Sequence, residues 1–144
     1  MEEFRQEGGC HCRRLRYKLS HPPLRTLICH CTDCQRISGS AFGISVVCRD
    51  DAFVLTGTPN RVARTLGSGA TGLRWTCPEC GVWICGDAKL DTVTNLNRRI
   101  VRGGTFDDTK WIKPDAHIWT RSAQPWVPIP ADMPSYQKNR ATAR

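Results

Sequence analysis

Apolar positions along the chain come in short runs broken by turn residues. β-Branched and aromatic segments at Leu15–Leu19, Leu27–His30, Ile44–Arg49, Ala52–Thr56, Arg64–Gly67, Leu73–Cys77, Val82–Cys85 and Thr92–Leu96 alternate with Gly, Asp and Pro turns, the pattern of an all-β protein. Two segments read as helical: a turn or two over Thr32–Ser38, and Asp107–Ile112, where Asp107 or Asp108 would cap and Pro114 would stop the helix. The Pro-rich stretch from Pro125 to Pro134 and the basic end from Lys138 to Arg144 read as irregular and partly frayed. The expected organisation is a single β domain over 1–136 with a basic flexible tail over 137–144.

A chain of 144 residues, 40% of them hydrophobic, can bury one modest core. Its longest apolar runs, such as Ile44–Cys48, fall far short of the roughly 20 residues a membrane span needs. The start, through Gly8 and Gly9, lacks the basic and apolar regions of a secretory signal, so a cytoplasmic location is expected. There, nine cysteines are a poor disulfide framework and an odd count would leave one unpaired, which makes metal binding the leading explanation. In a small domain of short strands and loops, metal staples would also support a limited core.

The formal charge is +8, from 21 basic residues (16 of them Arg) against 13 acidic ones, a balance that attracts anionic ligands or nucleic acid. Seven metal-bound thiolates and two zinc ions would lower it by about 3, to roughly +5.

Three clusters carry the metal signal: Cys10-His11-Cys12, Cys29-His30-Cys31-Thr32-Asp33-Cys34 and Cys77-Pro78-Glu79-Cys80-Gly81. Close cysteines on a tight turn direct two sulfurs at one ion, and the Gly after Cys80 permits the turn that thiolates prefer. Seven sulfurs cannot fill two tetrahedral sites. Four give a closed site and three an open one. The natural partition puts Cys10, Cys12, Cys77 and Cys80 on a structural zinc, closing a loop of some 65 residues. Cys29, Cys31 and Cys34 would then hold a second zinc with a free fourth position. Spacing alone admits other pairings, and iron–sulfur ligation draws on the same residues.

These clusters resemble the glutathione-dependent formaldehyde-activating enzyme family, which includes centromere protein V. The resemblance rests on Gly9-Cys10-His11-Cys12, on Cys29-His30-Cys31-Thr32-Asp33-Cys34-Gln35-Arg36 with Ser38-Gly39-Ser40-Ala41-Phe42, on Cys77-Pro78-Glu79-Cys80-Gly81, and on Gly104-Thr105-Phe106-Asp107-Asp108 with Pro114, His117-Ile118-Trp119 and Pro125-Trp126. It implies a β-tent fold of two packed sheets, the partition above, and a reactive three-cysteine site formed by Cys29, Cys31 and Cys34. It also implies a carbon–sulfur lyase-like activity on, or carriage of, glutathione adducts of formaldehyde or another small aldehyde, as in S-(hydroxymethyl)glutathione synthesis. Trp83, Ile84 and Cys85 depart from the family pattern after Gly81, which leaves Cys85 an extra thiol.

A three-thiolate zinc is a weak Lewis acid and favours a thiol in its fourth position, so the expected chemistry is formation or cleavage of a C–S bond. Arg36, with Arg14, Arg98 or Arg99, is the candidate for pairing with glutathione carboxylates, against the alternative of a solvated basic face. His30 reads as a fourth ligand, a proton shuttle or, most simply, an outward-facing loop residue. His117 is expected to hydrogen-bond within a strand or loop. Cys48 and Cys85 lie in apolar segments and read as core. Of Trp75, Trp83, Trp111, Trp119 and Trp126, one or two should line the pocket. Two other classes of function fit parts of the pattern: a non-enzymatic zinc module that binds nucleic acid or protein through its basic surface, and a zinc-assisted hydrolase acting on a C=N or C=O carbon.

Overall fold

Alternation along individual strands sorts side chains onto the two faces of a large antiparallel sheet, and this sorting places both the core and the site. The structure, a computed structural model, describes residues 2–65 and 69–140. Its strands are β1 (Gln6–Gly9), β2 (Arg16–Leu19), β3 (Arg25–Cys29), β4 (Gly43–Arg49), β5 (Phe53–Thr56), β6 (Asn60–Thr65), β7 (Thr71–Thr76), β8 (Trp83–Gly86), β9 (Lys89–Asp91), β10 (Leu96–Arg102) and β11 (Ala116–Ile118); one α-helix, α1, spans Thr32–Ser38. The protein is therefore mainly β, with two sheets. A small antiparallel sheet runs β1-β2-β5, and a large one runs β11-β3-β4-β10-β8-β7-β6, with β9 pairing β10. Within the large sheet β11 lies parallel to β3, whereas the other pairs are antiparallel.

On one face of the large sheet, Val46 and Cys48 of β4, Val101 of β10, and Ile84 and Cys85 of β8 pack against Leu15, Tyr17, Leu19 and Phe53 from the small sheet and its approach. Tyr17 is buried between Phe53 and Phe106, and its hydroxyl is 2.8 Å from Thr105 Oγ1. On the opposite face, Leu27 and Cys29 of β3, Val47 of β4 and Ile118 of β11 form a second cluster, with Ile100 of β10 against it. Burial at both faces supplies most of the sheet's stability, at about 25 cal/mol per Å² of apolar surface.

Most of the expected strands are present with ends moved by one to four residues. Two differences have identifiable causes. Thr92–Leu96 is a turn up to Asn95: the Asp91 carboxylate accepts from Thr94 N and Thr94 Oγ1, at 3.1 and 2.6 Å, and Asn95 takes a left-handed conformation (φ 58°). The strand that follows, β10, is rich in polar residues, which hid it from an apolar pattern. Asp107–Ile112 is not a helix: Phe106 bridges to Gly8, Asp107 N donates to the Glu7 carbonyl, and the Asp107 carboxylate pairs with Arg16. Six residues cannot nucleate a helix against such tertiary contacts. The strand expected over Arg64–Gly67 is observed as β6 up to Thr65, and its last two positions lie outside the described residues. At the start of the expected tail, the Lys138 carbonyl accepts from Trp119 N and Asn139 accepts from the Trp119 indole, whereas 141–144 lie outside the described residues. No helix among the described residues is long and apolar enough to cross a membrane.

Candidate metal centres and the cavity over the three-cysteine cluster

The structure brings Cys10, Cys12, Cys77 and Cys80 together, with all four sulfurs within 4.8 Å of one another. Two turns do this. Arg13, at φ 68°, folds the chain so that Arg13 N reaches the Cys10 carbonyl and Leu15 N points at the Cys10 sulfur, 3.2 Å away. In the β7–β8 turn, Gly81 adopts φ 77°, a conformation that penalises any side chain, and Gly81 N donates to the Cys77 carbonyl. Glu79 N and Cys80 N both point at the Cys77 sulfur at 3.4 Å. The Val82 backbone N–H helps lower the Cys80 thiol to about 6. A tetrahedron with metal–sulfur bonds of about 2.3 Å has edges of about 3.8 Å. Cys10–Cys12 and Cys12–Cys77 sulfurs lie 3.6 Å apart, so this set fits a four-coordinate ion.

Cys29, Cys31 and Cys34 form the second cluster, their sulfurs also within 4.8 Å of one another. Cys29 ends β3 opposite Gly43, Cys31 caps α1 by accepting from Cys34 N at 3.2 Å, and Cys34 is the buried residue of that helix. Hydrogen bonds from the Cys29 and Cys34 thiols pull Cys31 down to about 2, and the contact with Cys31 pushes Cys29 far above the usual thiol range. Crowding makes each further loss of a proton from the three sulfurs more costly, and a cation is what would let all of them ionise. Both clusters could hold a metal ion, and an all-thiolate donor set is compatible with zinc.

The three-cysteine cluster opens into a cavity of about 400 Å³. From β10, Arg98, Ile100 and Arg102 face it, while Arg99 and Val101 point to the other side. Ser45, Leu73, Arg74, Trp83, Ile118 and Trp119 complete much of the wall. Across the mouth, Asp33 of α1 pairs with Arg64 of β6 at 2.5 Å. Among the described residues six cationic side chains line the cavity (Arg64, Arg74, Lys89, Arg98, Arg102 and Arg121), against two carboxylates, Asp33 and Asp87.

The arginines singled out on the sequence separate here. Arg98 lines the cavity and is backed by Asp91 at 3.7 Å. Arg99 is buried on the opposite face, bonded to Asp50 and the Gly86 carbonyl and lying over Trp75. Arg14 is exposed near Glu79. Arg36 is exposed on α1 and borders a shallow depression with Gln124 and Trp126, outside the cavity. Ser38 donates to the Cys34 carbonyl at 2.6 Å, holding the end of α1 and not a sulfur. His30 is fully buried, not outward-facing, and lies outside both sulfur clusters; its Nε2 is 2.8 Å from His117 Nδ1 and the rings stack. Burial raises Cys48 to about 12 and Cys85 to about 11, so both are inert core thiols. Of the tryptophans, Trp83 and Trp119 line the cavity. Arg74 and Arg102 escaped the sequence reading. The signal that finds Arg102 is the two-residue period Arg98, Ile100, Arg102, visible once β10 is placed at 96–102.

A family model described as glutathione-dependent formaldehyde-activating enzyme matches residues 5–122. A search of curated proteins returns no match. Among solved structures, the crystal structure of a Rhodobacter sphaeroides protein aligns with a TM-score of 0.49 at 19% identity, covering 75% of this chain and 91% of that one.

Proposed function

The chain belongs to the glutathione-dependent formaldehyde-activating enzyme family, and from that premise we propose that it is a zinc protein that binds glutathione, or its adduct with formaldehyde or another small aldehyde, over Cys29, Cys31 and Cys34, and makes or breaks the carbon–sulfur bond. The observation that carries this reading is the convergence of three sulfurs at one cavity with a cationic wall. Cys10, Cys12, Cys77 and Cys80 hold the structural ion in this reading.

An ion held by Cys29, Cys31 and Cys34 would supply a place where a thiol is kept as thiolate at neutral pH. The chain's own side chains do the rest. Ile100, Ile118 and Leu73 give the cavity apolar surface for the carbon chain of a ligand, and the cations favour a ligand with acidic groups. In the forward direction the ligand's sulfur lone pair bonds to the aldehyde carbon, the C=O π pair moves to oxygen, and that oxygen takes a proton from water. Cleavage reverses each movement. The carboxylate-binding role expected of Arg36 passes to cations that face the cavity. The same inward orientation, with Arg16, Arg25, Arg49 and Arg99 paired to Asp107, Asp91, Asp51 and Asp50, favours a small anionic ligand over nucleic acid.

Titration calorimetry of the zinc-loaded protein with glutathione tests the reading. Binding in the wild type and its loss in Cys31→Ser, with the four-cysteine cluster still metal-bound, is the expected result; equal binding in both proteins would overturn it.

A further inference from the structure

Two of the less exposed guanidinium groups of the cavity have no acidic partner among the described residues. Arg74 of β7 and Arg102 of β10 both lie over the Trp83 ring, 4.7 and 4.2 Å from its centroid. Arg102 is only 9% exposed, and its one side-chain hydrogen bond among the described residues goes to Ser45 Oγ at 3.2 Å. Arg74 makes no ion pair with any described residue, and its Nε is buried with no hydrogen-bond partner. Elsewhere the fold supplies an acid to its less exposed arginines: Arg64 has Asp33, Arg25 and Arg98 share Asp91, and Arg99 has Asp50.

A buried guanidinium without a counter-ion is costly, and an indole face offsets this in part only, because it leaves the in-plane N–H donors unserved. The cavity's own carboxylates are engaged, Asp33 with Arg64 and Asp87 with the Trp75 indole N–H at 3.0 Å. Among the described residues Arg102 makes no hydrogen bond to sulfur. The platform itself is fixed: Trp83 Nε1 donates to the Cys85 carbonyl at 2.8 Å. Space for Arg102 is kept by Gly43, where a Cβ would fall 2.0 Å from Nη2 and 3.3 Å from the Cys34 Cβ.

We propose that Arg74 and Arg102, seated on Trp83, form an anion subsite that takes a carboxylate or phosphate group of the ligand whose sulfur meets Cys29, Cys31 and Cys34. The inference rests on the thiol reading above and names its substrate class: thiols and thiol adducts that carry an acidic group, with neutral thiols excluded. Guanidinium forks match both oxyanions, so the subsite distinguishes acid from ester or alcohol.

Calorimetry on the zinc-loaded full chain tests it with three thiols, glutathione, its diethyl ester and 2-mercaptoethanol, and with inorganic phosphate and acetate titrated separately. The expected result is binding of glutathione at least tenfold tighter than of the diester, with that preference reduced to within about twofold in Arg74→Gln and Arg102→Gln at unchanged metal content. Because Arg102 is buried, Arg74→Gln decides the outcome if Arg102→Gln does not fold. Equal affinity for glutathione and its diester overturns the subsite and leaves the thiol reading standing. If no thiol binds the wild type, the thiol reading fails, and the anion arms decide the subsite alone: phosphate or acetate binding that Arg74→Gln abolishes supports it and tells which oxyanion it prefers, and no binding of either overturns it.

Discussion

The two cysteine clusters use one residue type on two kinds of backbone. Cys10, Cys12, Cys77 and Cys80 sit on turns, where amides from Leu15, Glu79 and Cys80 point at sulfur, and none of the four lines the cavity. Cys29, Cys31 and Cys34 sit where a strand runs into a helix, so one backbone supplies all three sulfurs and their remaining side faces the cavity. A pair of turns brought from opposite ends of a long loop would enclose an ion and fasten the fold. A strand-to-helix junction would hold an ion from one side and leave the other open to the cavity.

The sharpest way to break this comparison is to remove one sulfur from each cluster. Cys77→Ser should abolish the cooperative thermal transition and both bound metals, since structural zinc can contribute about 10–16 kcal/mol to a small fold. Cys31→Ser should keep a cooperative melt, measured by circular dichroism, and lose one metal equivalent by elemental analysis. Similar melting of the two variants would erase the distinction.

Asp91 probes the cavity side. It is 3% exposed and accepts from Arg25 and Thr94, and Arg25 foremost holds its carboxyl well below the usual carboxylate range. Stability from a depressed carboxylate is present above the unfolded value of about 3.9 and is lost as pH falls through the folded value. Asp91→Asn should therefore cost about 2–4 kcal/mol at pH 7, by urea titration, and flatten the loss of stability of the wild type below about pH 4. It should leave the metal in the four-cysteine cluster untouched.

Gly43→Ala should act on binding more than on folding. The new methyl meets the guanidinium end of Arg102, which borders the cavity and can shift into it, so stability should fall by about 1 kcal/mol while affinity for an acidic thiol drops severalfold by calorimetry. The smallest effect belongs to Arg36→Ala, which should leave thiol affinity within about twofold, because Arg36 is exposed outside the cavity.

The sequence made the grouping of the cysteines more legible than the cavity. Cysteine spacing is local, and both sulfur sets assemble as expected from Cys10 to Cys80. Strands with an apolar face were equally readable, as at Ile44–Arg49. What stayed hidden depends on pairing between distant segments. β11 has three residues and exists because β3 hydrogen-bonds it in parallel. β10 reads as polar because four of its seven residues are Asn or Arg, and only its neighbours β4 and β8 decide which of those face the cavity. His30 shows the same limit: its position between two cysteines suggested a loop, whereas burial against His117 of β11 decides its state.

β10 also sets how such a protein could diversify. Residues 98, 100 and 102 belong to the cavity, while 99 and 101 belong to the interior, so the same short strand carries two independent alphabets. In the thiol reading, a change at 98 can retune which ligands are accepted without disturbing the packing behind it, whereas 100 also packs against the second core cluster. A one-residue insertion, by contrast, would exchange the two sets at once, so new ligand preferences in relatives with this arrangement should arise by point substitution at even positions and not by changes of strand length.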